Sequence, residues 1–270
     1  MVLRFIALCL VFALPALAAE KPAPKAAPNP AANAKELKPE EGPGNYALCL
    51  ETARAYPQQG LELARRWQTL DGGEPADHCL AVAQIGVRLY HEAAIGLVKL
   101  GLESKFSPSL RAGLLAQAAQ AYSLDDDLEH ALEAQTAALK LIPVGTPAAA
   151  PVLVDRAVTQ GELKKYAEAI EDLDAALALN PKNAEALAFR ANAHRELKQY
   201  EAALKDANAA LAVDAKSTDA LLERGLIFRA TGNAAAARSD WEAVIGLEPE
   251  SASARAAKTH IAQLDAKPAP

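Results

Sequence analysis

Side chains able to ligate a metal or attack a substrate are sparse in this chain of 270 residues. Its three cysteines are Cys9, Cys49 and Cys79, and its five histidines share no motif. His91-Glu92 lacks the second histidine that a zinc-protease helix places one turn further on. Asp125-Asp126-Asp127 sets three carboxylates together before a helix expected from about Leu128, whereas calcium asks for more oxygen ligands on a defined loop. Acids beside a helix N-terminus are accounted for by the helix dipole. The sequence contains neither a phosphate-cradling glycine loop nor a serine nucleophile elbow. The expectation is a protein that is not an enzyme and that holds no metal and no cofactor.

Composition points the same way. Hydrophobic residues make up 51% of the chain but aromatics only 5%, with much of the apolar content alanine. Small side chains of that kind suit closely packed helices rather than strands, which favour branched and aromatic residues. The net charge of −6 and pI near 5.5 remove the electrostatic case for nucleic acid or an acidic membrane as partner.

The first residues read as an address. Arg4 precedes an unbroken apolar run from Phe5 to Leu14, Pro15 ends it, and Ala16-Leu17-Ala18 offers small residues at both recognition positions of a cleavage site. The run is too short for a membrane span of about 20 residues. Residues 1–18 are therefore expected to be a secretory signal peptide and the mature protein to be exported, with the bacterial periplasm as its compartment. Residues 19–44, rich in proline and alanine without an apolar face, read as a disordered linker, and residues 266–270 as a disordered tail.

The rest of the chain is organised by a period of 34 residues. Leu153, Leu187 and Leu221 keep that step, and so do Arg156, Arg190 and Arg224 and then Asp172, Asp206 and Asp240. Each unit carries two helical patterns, and Pro181 and Pro249 close two of the units where a proline cannot continue a helix. Small or alanine residues recur at Ala157, Ala169 and Ala176, at Ala191, Ala203 and Ala210, and at Gly225 and Ala237; Tyr166 and Tyr200 open the second helices. This pattern resembles the tetratricopeptide repeat. The units run 112–145, 150–183, 184–217 and 218–251, preceded by degenerate repeats over 45–111 and followed by a capping helix over 252–265. The resemblance implies an all-α fold, a right-handed α-solenoid of about six helix pairs plus the cap.

It also implies where the remaining side chains stand. The recurring Arg156/Asp172, Arg190/Asp206 and Arg224/Asp240 are read as structural ion pairs joining first to second helices, rather than as an arginine ladder for an anion. Cys49 and Cys79 fall early in two successive first helices, which lie side by side in such a stack. They are candidates for a disulfide, with two buried thiols or a redox pair as the alternatives. The first helices form the concave wall, and family geometry turns Gln120, Val154, Val158, Ala188, Asn192, Arg195, Leu222, Leu226 and Arg229 toward it. Ala188 stands where the family's clamp for an acidic peptide terminus carries lysine. The implied function is a non-catalytic scaffold that binds one or more proteins or peptides in the groove, without nucleic acid and without membrane insertion after cleavage. The alternative is an envelope-assembly or cell-wall accessory factor, linked to glycan or redox chemistry.

Overall fold

A computed structural model describes residues 42–143 and 145–266 of the chain. The expected signal peptide, linker residues 19–41 and tail residues 267–270 lie outside the described residues. The described residues form thirteen helices and no strand. In order they are α1 (Gly42–Ala55), α2 (Pro57–Thr69), α3 (Gly73–Gly86), α4 (Tyr90–Glu103), α5 (Pro108–Leu124), α6 (Leu128–Leu141) and α7 (Ala149–Glu162). Beyond them come α8 (Tyr166–Leu179), α9 (Ala184–Glu196), α10 (Tyr200–Val213), α11 (Thr218–Ala230), α12 (Ala234–Leu247) and α13 (Ala252–Asp265). Two compact units divide the chain after Asp127.

The first unit holds α1 to α5. Two helix starts differ from the sequence expectation. α1 begins at Gly42, inside the segment whose composition reads as linker, because Pro43 sits in the first turn, where no N–H is needed for the helix ladder. α5 begins at Pro108 rather than at 112; the Ser107 side chain caps it by accepting from the Leu110 N–H at 3.3 Å, again with proline at the helix start. The core of α1–α3 gathers Cys49, Ala53, Leu61, Ala64, Trp67, Ala76 and Cys79. Gly60 is needed here: a Cβ on it would lie 2.3 Å from the Ala53 Cα, so α1 and α2 cross almost backbone to backbone.

In the second unit, α6 to α13, each helix packs on its neighbours in sequence, and α9 also packs on α7 and α11. Adjacent helices approach through an alanine seam, with Ala157, Ala169, Ala176, Ala191, Ala203 and Ala210 all nearly inaccessible. The 34-residue step also governs the helix ends. Asn183, Ser217 and Ser251 cap α9, α11 and α13, their side chains accepting from the N–H of Ala186, Ala220 and Ala254 at 3.0, 3.2 and 3.0 Å. The turn inside each pair places one residue in the left-handed region: Lys164 and Lys198 at φ 60° and Gly232 at φ 87°. At the far end, Trp241 of α12 is fully buried and donates its Nε1–H to the Leu222 carbonyl at 3.2 Å. The indole fits because Gly225 has no side chain; a Cβ there would lie 2.3 Å from Nε1. Tryptophan and glycine together replace the tyrosine that opens α8 and α10, where α12 has Ala234.

Candidate functional site

Three forks of charge fix the helix pairs of the second unit. Arg156 grips Asp172 with Nε and Nη2 at 2.7 and 2.6 Å, Arg190 grips Asp206 at 2.7 Å twice, and Arg224 grips Asp240 at 2.8 Å twice. The aspartates are buried, and each arginine is partly covered. All three arginines reach on to a third group: Arg156 to Thr136 at 3.3 Å, Arg190 to Asp174 at 2.6 Å and Arg224 to Asn208 at 2.9 Å. Hydrogen bonding to the aspartate, working against burial, holds the Arg190 and Arg224 guanidinium groups above their ordinary pKa. Bidentate geometry of this kind fixes orientation as well as charge. These guanidinium groups are engaged between helices and are not presented to an anion.

What is left for a ligand lies on α7, α9 and α11. Val158, Asn192 and Leu226 recur at the 34-residue step and are half-buried. Asn192 donates from Nδ2 to Glu223 Oε2 at 3.0 Å, and Arg195 donates from Nε to the other oxygen of the same carboxylate. Glu196 lies 2.8 Å from Arg195 Nη1. Burial works against the Arg195 charge, but the Glu223 and Glu196 carboxylates outweigh it and raise the pKa. Arg229, exposed on α11, donates to Gln263 of α13 at 2.7 Å and stands 5.8 Å from the Trp241 ring centroid. His260 stacks on the same indole at 5.1 Å, and burial depresses its pKa. Asp155 of α7 completes the face. Burial first, and the Glu185 carboxylate second, push its pKa up to about 6.

Three residues expected in the groove, Val154, Ala188 and Leu222, are core residues instead. Val154 and Leu222 are 5% and 4% exposed; the first packs with Leu173 and Leu187, the second with Trp241 and Ala254. The alanine seams draw neighbouring first helices so close that this position is covered by the next helix. Ala188 is buried for the same reason. Gln120 is exposed on α5 and belongs to the first unit. Sequence reasoning missed Glu223, the acceptor that ties Asn192 to Arg195, and it missed Asp155. Each immediately precedes a recurring arginine, Arg224 and Arg156, and the periodicity of the arginines drew attention away from them.

In the first unit, the Cys49 and Cys79 sulfurs are 1.99 Å apart, with Cα atoms 5.9 Å apart. Both residues are fully enclosed. Beside them Tyr46 Oη meets His78 Nδ1 at 2.5 Å, and burial lowers the His78 pKa. Asp125 of the acidic triplet stands 3.3 Å from His91 Nδ1, and Asp126 takes the left-handed turn at φ 67°. Among the described residues, no group of three or more histidine, cysteine, aspartate and glutamate side chains is placed to hold a metal ion.

The tetratricopeptide-repeat family model matches residues 154–220 and 190–252. The fold is shared with solved structures of low sequence identity. MamA from Desulfovibrio magneticus RS-1 is 18% identical with a TM-score of 0.57, covering 66% of this chain and 97% of its own. YrrB, a tetratricopeptide-repeat protein described as having an unusual peptide-binding site, is 18% identical with a TM-score of 0.53, covering 72% and 96%. The Cut9–Hcn1 hetero-tetramer of the APC/C gives a TM-score of 0.61 at 16% identity, covering 86% of this chain and 44% of that one. No curated protein matches the sequence.

Proposed function

Because this chain is a tetratricopeptide-repeat protein, we propose that it is a non-catalytic interaction scaffold that binds a peptide or partner protein along the face shared by α7, α9 and α11. The observation that carries this reading is the recurrence of Val158, Asn192 and Leu226 on successive first helices, half-buried and flanked by Arg195, Glu223 and Arg229. A line of two apolar side chains and an amide, bordered by charged groups, suits an extended peptide or a partner helix, whose apolar side chains are covered while its backbone and polar groups find donors and acceptors. The peptide-binding site named for YrrB is consistent with such a use of the fold. The arginine–aspartate forks serve this function indirectly, by holding each first helix against its second so that the face is rigid before a partner arrives.

The scaffold is proposed to work outside the cytoplasm. The leader-like residues 1–18 support export, and an oxidising compartment suits Cys49 and Cys79 joined as a disulfide. Enclosure of both sulfurs speaks against a redox accessory role, which needs an accessible thiol. A glycan-handling wall would be lined by aromatic side chains, whereas Phe189 and Phe228 are half-buried against the core.

In-cell crosslinking followed by mass spectrometry, comparing the wild type with Asn192→Lys and Arg229→Glu, tests the proposal. The account expects partner recovery to fall in both variants while their helicity is retained. Unchanged recovery from both would refute the groove reading. Mass spectrometry of the mature chain tests export, with a polypeptide starting at Ala19 as the expected product.

A further inference from the structure

The arginine–aspartate fork of the second unit is absent from the α3/α4 pair, and a cleft stands in its place. In each pair of the second unit the arginine lies eight residues before the left-handed turn residue and the aspartate eight after it: Arg156 and Asp172 around Lys164, Arg190 and Asp206 around Lys198, Arg224 and Asp240 around Gly232. In the α3/α4 pair the left-handed residue is Arg88, at φ 65°, and the corresponding places hold Leu80 and Gly96. Leucine cannot reach across as arginine does, and glycine offers no side chain at all. A Cβ on Gly96 would meet nothing within 4 Å. What remains is a cleft of about 440 Å³, inside the range of roughly 300–1,000 Å³ common to ligand sites.

Its lining is amphipathic and strongly of one sign. Glu74, Asp77, Glu92 and Glu103 contribute four carboxylates against the single ammonium of Lys99. Asp77 accepts from Gln68 Nε2 at 2.6 Å and Glu74 from the Lys105 N–H at 3.1 Å, which fixes those two acids in place. No ion pair among the described residues neutralises Glu92 or Glu103. The apolar part consists of Leu80, Leu100 and Ile95, the last 52% exposed. Ser104 closes one end; it is 9% exposed and its Oγ has no hydrogen-bond partner among the described residues. An acceptor or donor left bare in a covered position costs free energy unless an occupant satisfies it.

We propose that this cleft is a second docking site, which receives the basic side chains of an extended, leucine-containing partner segment. Lysine or arginine side chains meet the carboxylates, and the adjoining apolar side chains cover Ile95 and Leu80. A polyamine or a bare cation would answer the charge but leave the apolar wall uncovered. The site is separate from the face of α7, α9 and α11, so its failure leaves that reading untouched.

Fluorescence polarisation on the full chain, with labelled peptides ALKALRA and ALQALQA, tests this. The account expects the basic peptide to bind and the glutamine peptide to bind at least tenfold more weakly. Glu92→Gln with Glu103→Gln should weaken the basic peptide roughly tenfold, two exposed charge contacts being lost. Leu80→Arg with Gly96→Asp, which installs the fork found in the other pairs, should abolish binding while the helical circular dichroism signal is kept. Glu168→Gln, on α8 of the second unit and not among the residues lining the cleft, should change nothing. If the installed fork binds the peptide as the wild type does, if both peptides bind equally, if spermidine displaces the basic peptide as well as an unlabelled copy does, or if neither peptide binds, the proposal is wrong. Should the installed fork fail to fold, the Glu92/Glu103 variant decides alone.

Discussion

The helix pair α3/α4 and the pairs from α7 to α12 solve the same packing problem with different chemistry. The later pairs meet across alanine seams, and a buried aspartate clamped by arginine sets each angle. In α1–α4 the forks are gone. Close approach there depends on glycine, as at Gly60 against Ala53, and on sulfur atoms placed at bonding distance in the shared core. The contrast teaches that helix pairs persist where the consensus fork is lost. Losing the fork also leaves a seam with an open, acidic cleft instead of a neutralised one.

That comparison can be broken at several points. The largest effect belongs to Trp241, fully buried against Gly225 and stacked on His260. Trp241→Ala should cost about 3–5 kcal/mol, and hydrogen exchange should rise in α11–α13 while α1–α3 keep their protection. Equal exposure of both regions would contradict a stack stabilised locally, pair by pair. Next comes reduction. If Cys49 and Cys79 are bonded, opening their loop of sequence separation 30 should destabilise by about 3–4 kcal/mol in the chain-entropy model, with the exchange now concentrated in α1–α3. Two free thiols titrated in unreduced mature protein would remove that constraint from the account.

A smaller effect tests the charge balance of the binding face. Asp155 has a folded pKa of about 6 against a reference value of 3.8. The fold therefore favours its protonated form. That contribution is complete below about pH 4 and is lost as pH rises through 6. Asp155→Asn should accordingly stabilise the protein by about 1–2 kcal/mol at pH 8 and hardly at all at pH 4. Denaturant titrations at the two pH values read this directly; a gain that is the same at both would place the cause elsewhere. The smallest effect concerns the turns. Lys198 holds φ 60° where the next repeat has Gly232, so Lys198→Gly should raise stability by about 0.5 kcal/mol, the left-handed strain outweighing the added freedom of the unfolded chain. A loss of stability would show that the lysine side chain contributes more than its backbone costs.

The helical pairs were legible because their signals repeat. Arg156, Arg190 and Arg224 announce each other at a fixed step, and the tyrosines Tyr166 and Tyr200 mark where second helices begin. The first unit was harder to read for a physical reason. Glycines such as Gly60 look like interruptions of a helix in sequence, yet in space they are the points of closest helix approach. Pro43 falls in the segment read as linker and Pro108 lies ahead of the unit expected from 112, yet both stand at helix starts. The face for a partner was only partly legible. Family geometry assigns a direction to each position but not the depth of its neighbours, so Val154 and Leu222 were expected at the surface and lie in the core. Glu223, which orders that face, belongs to no repeating series: its place is taken by Asp155 two repeats earlier, on α7, and by Phe189 between them, on α9.

The most direct test of the central claim is amide hydrogen exchange on the full chain, with and without the partner recovered by crosslinking. The account predicts added protection in α7, α9 and α11, with little change in α8, α10 and α12. Protection confined to the second helices, or absent from residues 149–230 altogether, would contradict it.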